Sequence, residues 1–186
     1  MLDTYLESLQ NPNNVYIHEG NITDVLKSMN LKKIQKIFKD SKNNNLSNLK
    51  AKFKSIPKLD PSIANNFLKG KVKNYDKYKS ETEKLMTKMK LQPKVKEGLS
   101  VVGGIIGSLQ PKQFTKLKAK TEEEEFDGWE FISSVLQTFG TVVIAFVTFK
   151  GLTMGAMGTV GIVIGPPILI AVGALVLSLI INAIKE

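Results

Sequence analysis

The chain lacks cysteine and arginine, and it contains one histidine. Without cysteine there is no disulfide framework, no thiolate metal site and no cysteine nucleophile. A single imidazole, that of His18, excludes a multi-histidine metal site, and we expect this residue to lie at the surface or in packing contacts. The carboxylates of Glu81 and Glu83 lie on a lysine-rich helix that we expect to be exposed. We therefore predict a protein that is not an enzyme and that uses no cofactor or metal.

All 26 basic residues are lysines. The planar fork of arginine is the side chain that reads guanine edges and grips phosphates at two points. Its absence argues against sequence-specific recognition of nucleic acid, although a coding genome rich in A and T would also deplete arginine. Lysine charges suit anionic lipid headgroups or non-specific phosphate contacts.

A long apolar run, residues 131–184, contains one charged residue, Lys150, among its 54 residues. A membrane-spanning helix needs about 20 apolar residues, so the run accommodates two spans and a turn. We predict the spans at residues 131–149 and 166–184. The second begins with proline, which is tolerated in the first turn of a helix. Two spans place both termini on the same side of the membrane.

Four residues flank the predicted spans in the manner of a membrane interface. Phe126 and Trp129 precede the first span, and aromatic rings are enriched at the headgroup level. Lys150 lies in the predicted turn, where its long side chain reaches the headgroups, and Lys185 follows the second span. The positive-inside tendency of the lysines before the first span places both termini on the cytoplasmic side.

The segment between the spans, residues 151–165, is rich in glycine. Two glycine pairs follow the GxxxG spacing, which lets helices in lipid approach closely. Three structures fit the segment: a flexible hairpin turn, a re-entrant or oligomer-forming segment, and one long helix kinked at Pro166. The helix-packing glycines predicted here are Gly151, Gly155, Gly161 and Gly165.

A third apolar patch, residues 98–109, is too short to span a bilayer. It contains a further GxxxG pair, Gly103 and Gly107, which we add to the predicted helix-packing glycines. The patch has two interpretations. It is either an interfacial segment similar to a fusion peptide or a helix that packs against the rest of the protein.

Charge is segregated before the apolar run. Residues 21–120 contain 24 lysines and seven acidic residues, and residues 122–130 contain six acidic residues and no lysine. A lysine-rich arm suits anionic lipid, non-specifically bound nucleic acid or an acidic protein partner, or else it is a solvated helical surface. We predict a short N-terminal helix and loop at 1–20, a basic helical arm at 21–121, an acidic juxtamembrane segment at 122–130 and a transmembrane hairpin at 131–186.

The predicted fold class is all-α, because no strand alternation of useful length interrupts the helical spacing. Ile34, Ile37 and Phe38 recur at helical intervals with lysines between them, which is typical of a basic amphipathic helix. Asp60 followed by Pro61 predicts the start of a long helix that extends to residue 90. The predicted basic surface comprises Lys32, Lys33, Lys36 and Lys39.

The order of these features resembles that of colicin-type pore-formers, in which amphipathic helices precede a glycine-rich apolar hairpin. The resemblance implies a water-soluble bundle that encloses the hairpin and releases it at a membrane. The composition, rich in lysine and asparagine and free of arginine and cysteine, also resembles that of bacteriophage proteins. Small ejection and tail-lumen proteins of phage virions carry similar apolar segments.

We therefore expect a non-enzymatic, membrane-inserting protein, a virion or assembly component that forms or supports a membrane pore or conduit. The expected partners are a lipid bilayer and further subunits of a homo- or hetero-oligomeric assembly. We expect an integral membrane location, reached directly or from a soluble or virion-packaged form. The alternative is a hairpin-anchored scaffold whose lysine-rich arm binds an acidic protein or, non-specifically, nucleic acid.

Overall fold

The computed structural model describes residues 16–17, 22–41, 45–122, 126–149 and 164–185, and this part of the chain is mostly helical. The all-α prediction is confirmed at that level. One short strand pair joins Tyr16–Ile17 (β1) to Lys58–Leu59 (β2) in parallel. The helices are α1 (Ile22–Ser28), α2 (Leu31–Ser41), α3 (Leu46–Phe53), α4 (Pro61–Leu68), α5 (Tyr75–Leu85), α6 (Pro93–Leu109), α7 (Pro111–Lys120), α8 (Gly128–Phe149) and α9 (Pro166–Ala183).

The core of the protein is built around α9. Every residue of α9 from Leu169 to Ile181 is buried. The helix packs mainly against α6, and it also contacts α1, α2, α3, α4, α8 and β2. A helix that is apolar on every face needs neighbours on all sides to exclude water. The shorter helices supply those neighbours by turning one apolar face inward.

The apolar patch at residues 98–109 lies inside the protein as part of α6, and all twelve of its residues are buried. One side of α6 packs against α9 and another against α5. Of the two interpretations of this patch, packing against the rest of the protein is therefore the one that the structure shows. The two central helices of the bundle are α6 and α9.

The prediction of one long helix from Pro61 to residue 90 is wrong. The chain forms two helices, because α4 ends at Leu68 and α5 begins at Tyr75. Between them Gly70 has a φ of +70° and Asn74 a φ of 63°, and an α-helix cannot continue through left-handed residues. The break lets α4 and α5 pack separately against α6.

The first predicted span corresponds to α8, which begins three residues earlier than expected, at Gly128. A reciprocal capping arrangement accounts for this start. The side chain of Asp127 accepts a hydrogen bond from the backbone N–H of Glu130 at 2.7 Å, and Glu130 accepts one from the N–H of Asp127 at 3.3 Å. The second predicted span corresponds to α9, which ends at Ala183, one residue before the predicted end.

Candidate functional site

Two helices, α8 and α9, are long and apolar enough to cross a membrane: Gly128–Thr148 with 21 residues and Pro166–Ala183 with 18. At 1.5 Å per residue they measure about 32 and 27 Å, against about 30 Å for a bilayer core. The core helix of a soluble protein meets the same criteria, so the burial of each helix is informative. The buried share is 44% for α8 and 72% for α9.

Ser178 ties α9 to the segment before β2. Its side chain is fully buried, and its Oγ lies 2.7 Å from the carbonyl oxygens of both Pro57 and Leu175. A hydroxyl has one proton to donate, so it serves these two acceptors alternately. The hydrogen bond to Pro57 is a polar link between the central helix and the chain wrapped around it.

Glycine permits close packing of α9 on both of its long neighbours. A Cβ added at Gly98 of α6 would lie 2.8 Å from Cδ1 and 2.9 Å from Cγ1 of Ile180. A Cβ added at Gly173 of α9 would overlap the ring of Phe139 in α8. A larger residue at either position would require the facing side chain, or α9 itself, to shift. Both contacts depend on residues distant in sequence, and the sequence analysis missed both.

The predicted helix-packing glycines fall into different environments. Gly103 and Gly107 lie against α5, where added Cβ atoms would overlap Thr82 and Tyr78 respectively. Gly165 precedes α9 in an extended conformation, and a Cβ there would meet only Pro167, at 3.5 Å. The remaining three, Gly151, Gly155 and Gly161, lie outside the described residues.

Two of the four predicted interface residues, Trp129 and Lys185, lie together beside the start of α8. Phe126 is half-buried and packs edge-on against Phe131, with ring centroids 6.2 Å apart. Trp129 is 37% exposed, and it shares the wall of a cleft of about 450 Å³ with Lys185. The fold thus brings together an aromatic residue and a lysine from the opposite ends of the apolar run. Lys150 lies outside the described residues.

The predicted basic surface lies on the outer side of α2. Ile34 and Phe38 are buried, and Phe38 packs edge-on against Phe53 and Phe139 with centroid distances of 5.6 and 5.3 Å. These aromatic contacts attach α2 to α3 and α8. The four lysines on α2 are all exposed, at Lys32, Lys33, Lys36 and Lys39.

A groove of about 590 Å³ runs between α2, α7 and α8. Lys39 of α2 lines it together with Lys116 and Lys120 of α7, and all three lysines are exposed. Lys116 and Lys120 are four residues apart, so they lie on the same face of α7. Nothing in the sequence predicted this groove, since Lys116 and Lys120 were there only two of the lysines that precede the first span. Its apolar lining comprises Phe38, Leu117, Leu136 and Ile144.

One ion pair joins two helices that surround α9. The carboxylate of Asp60 accepts hydrogen bonds from the N–H and hydroxyl of Ser62 at the start of α4, and Lys94 of α6 lies 2.8 Å from it. Partial burial acts to raise the pKa of Asp60, but the hydrogen bonds from Lys94 and Ser62 outweigh it and leave the pKa lowered. Asp60 therefore stays ionised at neutral and mildly acidic pH.

A buried tyrosine supports the contact between α5 and α6. Tyr75 is fully buried, and its hydroxyl donates a hydrogen bond to Oδ1 of Asn65 at 3.1 Å. Burial raises the pKa of Tyr75, and the charges of Asp76, Glu83 and Glu97 raise it further. The phenol is thus a neutral hydrogen-bond donor in the folded protein.

Within the described ranges, no group of three or more His, Asp or Glu side chains is placed to hold a metal ion. Comparison with protein families, curated proteins and solved structures finds no match to this chain. The functional conclusion therefore rests on the packing and surface of the molecule itself.

Proposed function

We propose that the protein is a non-enzymatic, membrane-inserting protein that keeps α9 inside a helical bundle and transfers α8 and α9 into an anionic bilayer. The position of α9 is the observation that carries this proposal. A helix that is apolar on every face is either a membrane span or the core helix of a large protein. This one is long enough to span a bilayer, and it is buried against α6 and β2 with further contacts to α1, α2, α3, α4 and α8.

Insertion exchanges one apolar environment for another. The surface of α9 is kept from water by its neighbours in the bundle and would be kept from water by acyl chains in the bilayer. The surrounding helices can open and lie on the membrane with their apolar faces down. The specific contacts that must break include the hydrogen bond from Ser178 to Pro57 and the ion pair between Asp60 and Lys94.

The lysines of α2 and α7 direct the proposed insertion to anionic membranes. A basic residue near an anionic surface contributes about 1 kcal/mol of attraction at physiological ionic strength. The exposed lysines of α2 add to Lys112, Lys116, Lys118 and Lys120 of α7, all of which are exposed. Binding would therefore weaken as salt concentration rises.

The proposed product of insertion is a membrane pore or conduit. Two helices enclose no water-filled path by themselves, so a conduit requires several copies or a partner protein. The proposed role as a virion or assembly component rests on the resemblance of the lysine-rich, arginine-free composition to that of bacteriophage proteins.

A second candidate function is a static scaffold, in which the apolar helices anchor the protein and the basic helices hold an acidic partner. The exposed lysines of α2 and α7 favour it equally, because they suit an acidic protein as well as lipid. The two functions differ in one respect. A scaffold needs no release of α9 and does not permeabilise a bilayer.

The test is a disulfide that locks α9 in place. Because the chain has no cysteine, the pair Gly98→Cys and Ile180→Cys would form its single disulfide. Cγ1 of Ile180 lies 2.9 Å from a Cβ added at Gly98, and the Cβ of Ile180 is one bond of about 1.5 Å from Cγ1. The two Cβ atoms are therefore no more than about 4.4 Å apart, which is within the limit of about 4.5 Å for a disulfide. We expect dye release from phosphatidylglycerol-containing vesicles by the wild type and the reduced double variant, and none by the oxidised double variant.

The single variants Gly98→Cys and Ile180→Cys, treated with the same oxidant, are the controls and should release dye. Leakage by the oxidised double variant would exclude release of α9 as the mechanism. Flotation of the wild type with vesicles but without leakage would favour the scaffold.

A further inference from the structure

We propose that the groove between α2, α7 and α8 binds one anionic phospholipid molecule, with its phosphate between the lysines and the start of an acyl chain along α8. The inference rests on the proposed membrane function for its choice of ligand. The groove itself is separate from the buried surface of α9, so it can bind lipid while the bundle is closed.

The lysines supply the charge complementarity. Lys39 stands on one wall, and Lys116 and Lys120 stand on the other, about 6 Å apart along the axis of α7. Among the described residues, none of the three forms an ion pair. All three ammonium groups lie on exposed side chains, so an external anion can approach them. A single phosphate group bears its charge on several oxygens, and so can receive hydrogen bonds from both walls.

The apolar lining distinguishes a lipid from a simple anion. The ring of Phe38 and the side chains of Leu136 and Ile144 border the groove. Leu136 and Ile144 are two turns apart on α8, so the apolar strip extends along that helix. Ile144 is half-buried, and Phe38 and Leu136 are each 5% exposed, so an acyl chain would cover chiefly Ile144 and the edges of the other two side chains. Inorganic phosphate would leave that surface in water.

The location of the strip links the lipid to the proposed insertion. The more exposed of the two candidate spans is α8, and its residues 144–147 are all half-buried. A lipid in the groove would contact this span directly. The span would thus meet a lipid tail before the bundle opens.

Two other ligands fit the groove less well. Single-stranded nucleic acid is bound through aromatic rings on which bases stack, but the ring of Phe38 is 5% exposed and packs against two other rings. An acidic peptide would satisfy the lysines. It would gain less from a strip bordered by leucine and isoleucine than an acyl chain does.

Calorimetric titration of the full chain with dihexanoyl phosphatidylglycerol, below its micelle-forming concentration, tests the proposal. Lys116→Gln with Lys120→Gln should weaken binding by about tenfold or more, because two charges at the phosphate are lost. The matched control is Lys112→Gln with Lys118→Gln, which removes the same charge from α7 outside the groove. It should weaken binding several-fold less than the groove pair does, because these two lysines do not line the groove and salt partly screens their charge.

A second pair of variants tests the apolar strip. Thr141 is exposed and lines the groove, so Thr141→Trp should fill it and abolish lipid binding. Thr148 is exposed on the same helix outside the groove, and Thr148→Trp should bind as the wild type does. Dihexanoyl phosphatidylcholine and inorganic phosphate should each bind at least about tenfold more weakly than the anionic lipid.

Equal losses in the two lysine pairs would overturn the proposal, because general electrostatic attraction would then explain binding. Equally tight binding of inorganic phosphate, or preferential binding of a polyglutamate peptide, would overturn it too. Because the short-chain lipid is monomeric, the assay requires no insertion. Lipid binding without vesicle leakage would support the lipid site and contradict the proposed pore. Vesicle leakage without groove-dependent lipid binding would support the pore and contradict the lipid site.

Discussion

Two helices of similar apolar character occupy opposite positions in this protein: α9 at the centre and α8 at the side. The difference follows from a few polar residues. Ser133, Gln137 and Thr141 of α8 recur every four residues and form a stripe that faces outward, with Gln137 and Thr141 exposed. In α9 the buried polar side chain is Ser178, and it has its own acceptors. A stripe of three polar residues is enough to give a spanning-length helix an outer face.

A charge placed on each helix should distinguish their positions by the largest difference in stability. Leu175 of α9 is fully buried, and Leu175→Asp would put a carboxylate where no partner exists among the described residues. We expect a loss of about 4 kcal/mol or more, enough to unfold the bundle. Ile144 of α8 is half-buried, and Ile144→Asp should cost about 1 kcal/mol or less, because the carboxylate can reach water.

Urea unfolding followed by far-ultraviolet circular dichroism would measure both changes. Equal destabilisation by the two aspartates would contradict the central position of α9.

The contact between the two helices is the next target. Gly173→Ala would place a methyl group against the ring of Phe139, and we expect it to destabilise the bundle by about 1–3 kcal/mol. Adding Phe139→Leu to Gly173→Ala should recover part of that loss, because the smaller side chain makes room. Thermal unfolding of the two single variants and the double variant would measure the coupling. If the changes in the free energy of unfolding of the two single variants added up to that of the double variant, α8 and α9 would not be in tight contact at Gly173.

The buried serine of α9 provides a smaller test. Ser178→Ala removes the hydrogen bond to the carbonyl of Pro57, and we expect a loss of about 1–2 kcal/mol because that half-buried oxygen loses its donor. On α8, the hydroxyl of Thr141 donates to the carbonyl of Gln137 in its own helix and is exposed. Thr141→Ala should therefore change the free energy of unfolding by less than about 0.5 kcal/mol. An equal cost at the two positions would count against the link between α9 and Pro57.

The smallest expected effect concerns the ion pair that joins two neighbours of α9. Asp60→Asn keeps a capping side chain at α4 but loses the charge that faces Lys94, and it should cost about 0.5 kcal/mol at neutral pH. The folded state lowers the pKa of Asp60, so this stabilisation is present above the unfolded pKa of about 3.9 and is lost as pH falls through the lower folded value.

Melting temperatures of wild type and Asp60→Asn should therefore differ at pH 7 and converge in strong acid. A difference that persists in strong acid would assign the effect to something other than ionisation of Asp60.

Much of the helical structure could be predicted from the local spacing of apolar residues. Regular apolar intervals predicted the helices around Ile34 and Phe38, and the two long uncharged stretches predicted α8 and α9 to within three residues at each described boundary. The break between α4 and α5 was missed, because the left-handed conformation of Asn74 is not required by any local pattern. Asparagine tolerates that conformation better than most residues do, but it does not impose it.

The arrangement of the helices could not be predicted, because it depends on contacts between residues far apart in the chain. The closest partner of α9 is α6, where Gly98 accommodates Ile180, and no spacing in the sequence relates those two positions. The groove has the same origin. Lys116 and Lys120 are conspicuous in the sequence, but only the packing of α2 and α7 on α8 brings them to the same groove as Lys39.

The central position of α9 also determines the order in which the molecule can mature. Every helix that α9 contacts precedes it in the chain and leaves the ribosome first. The inward apolar faces of those helices remain exposed to water until α9, which they pack against, has been synthesised. Arrested nascent chains that stop before Pro166 should remain sensitive to protease, and resistance should arise only after Ala183 has emerged. Until α9 is in place, these uncovered apolar faces are prone to aggregation.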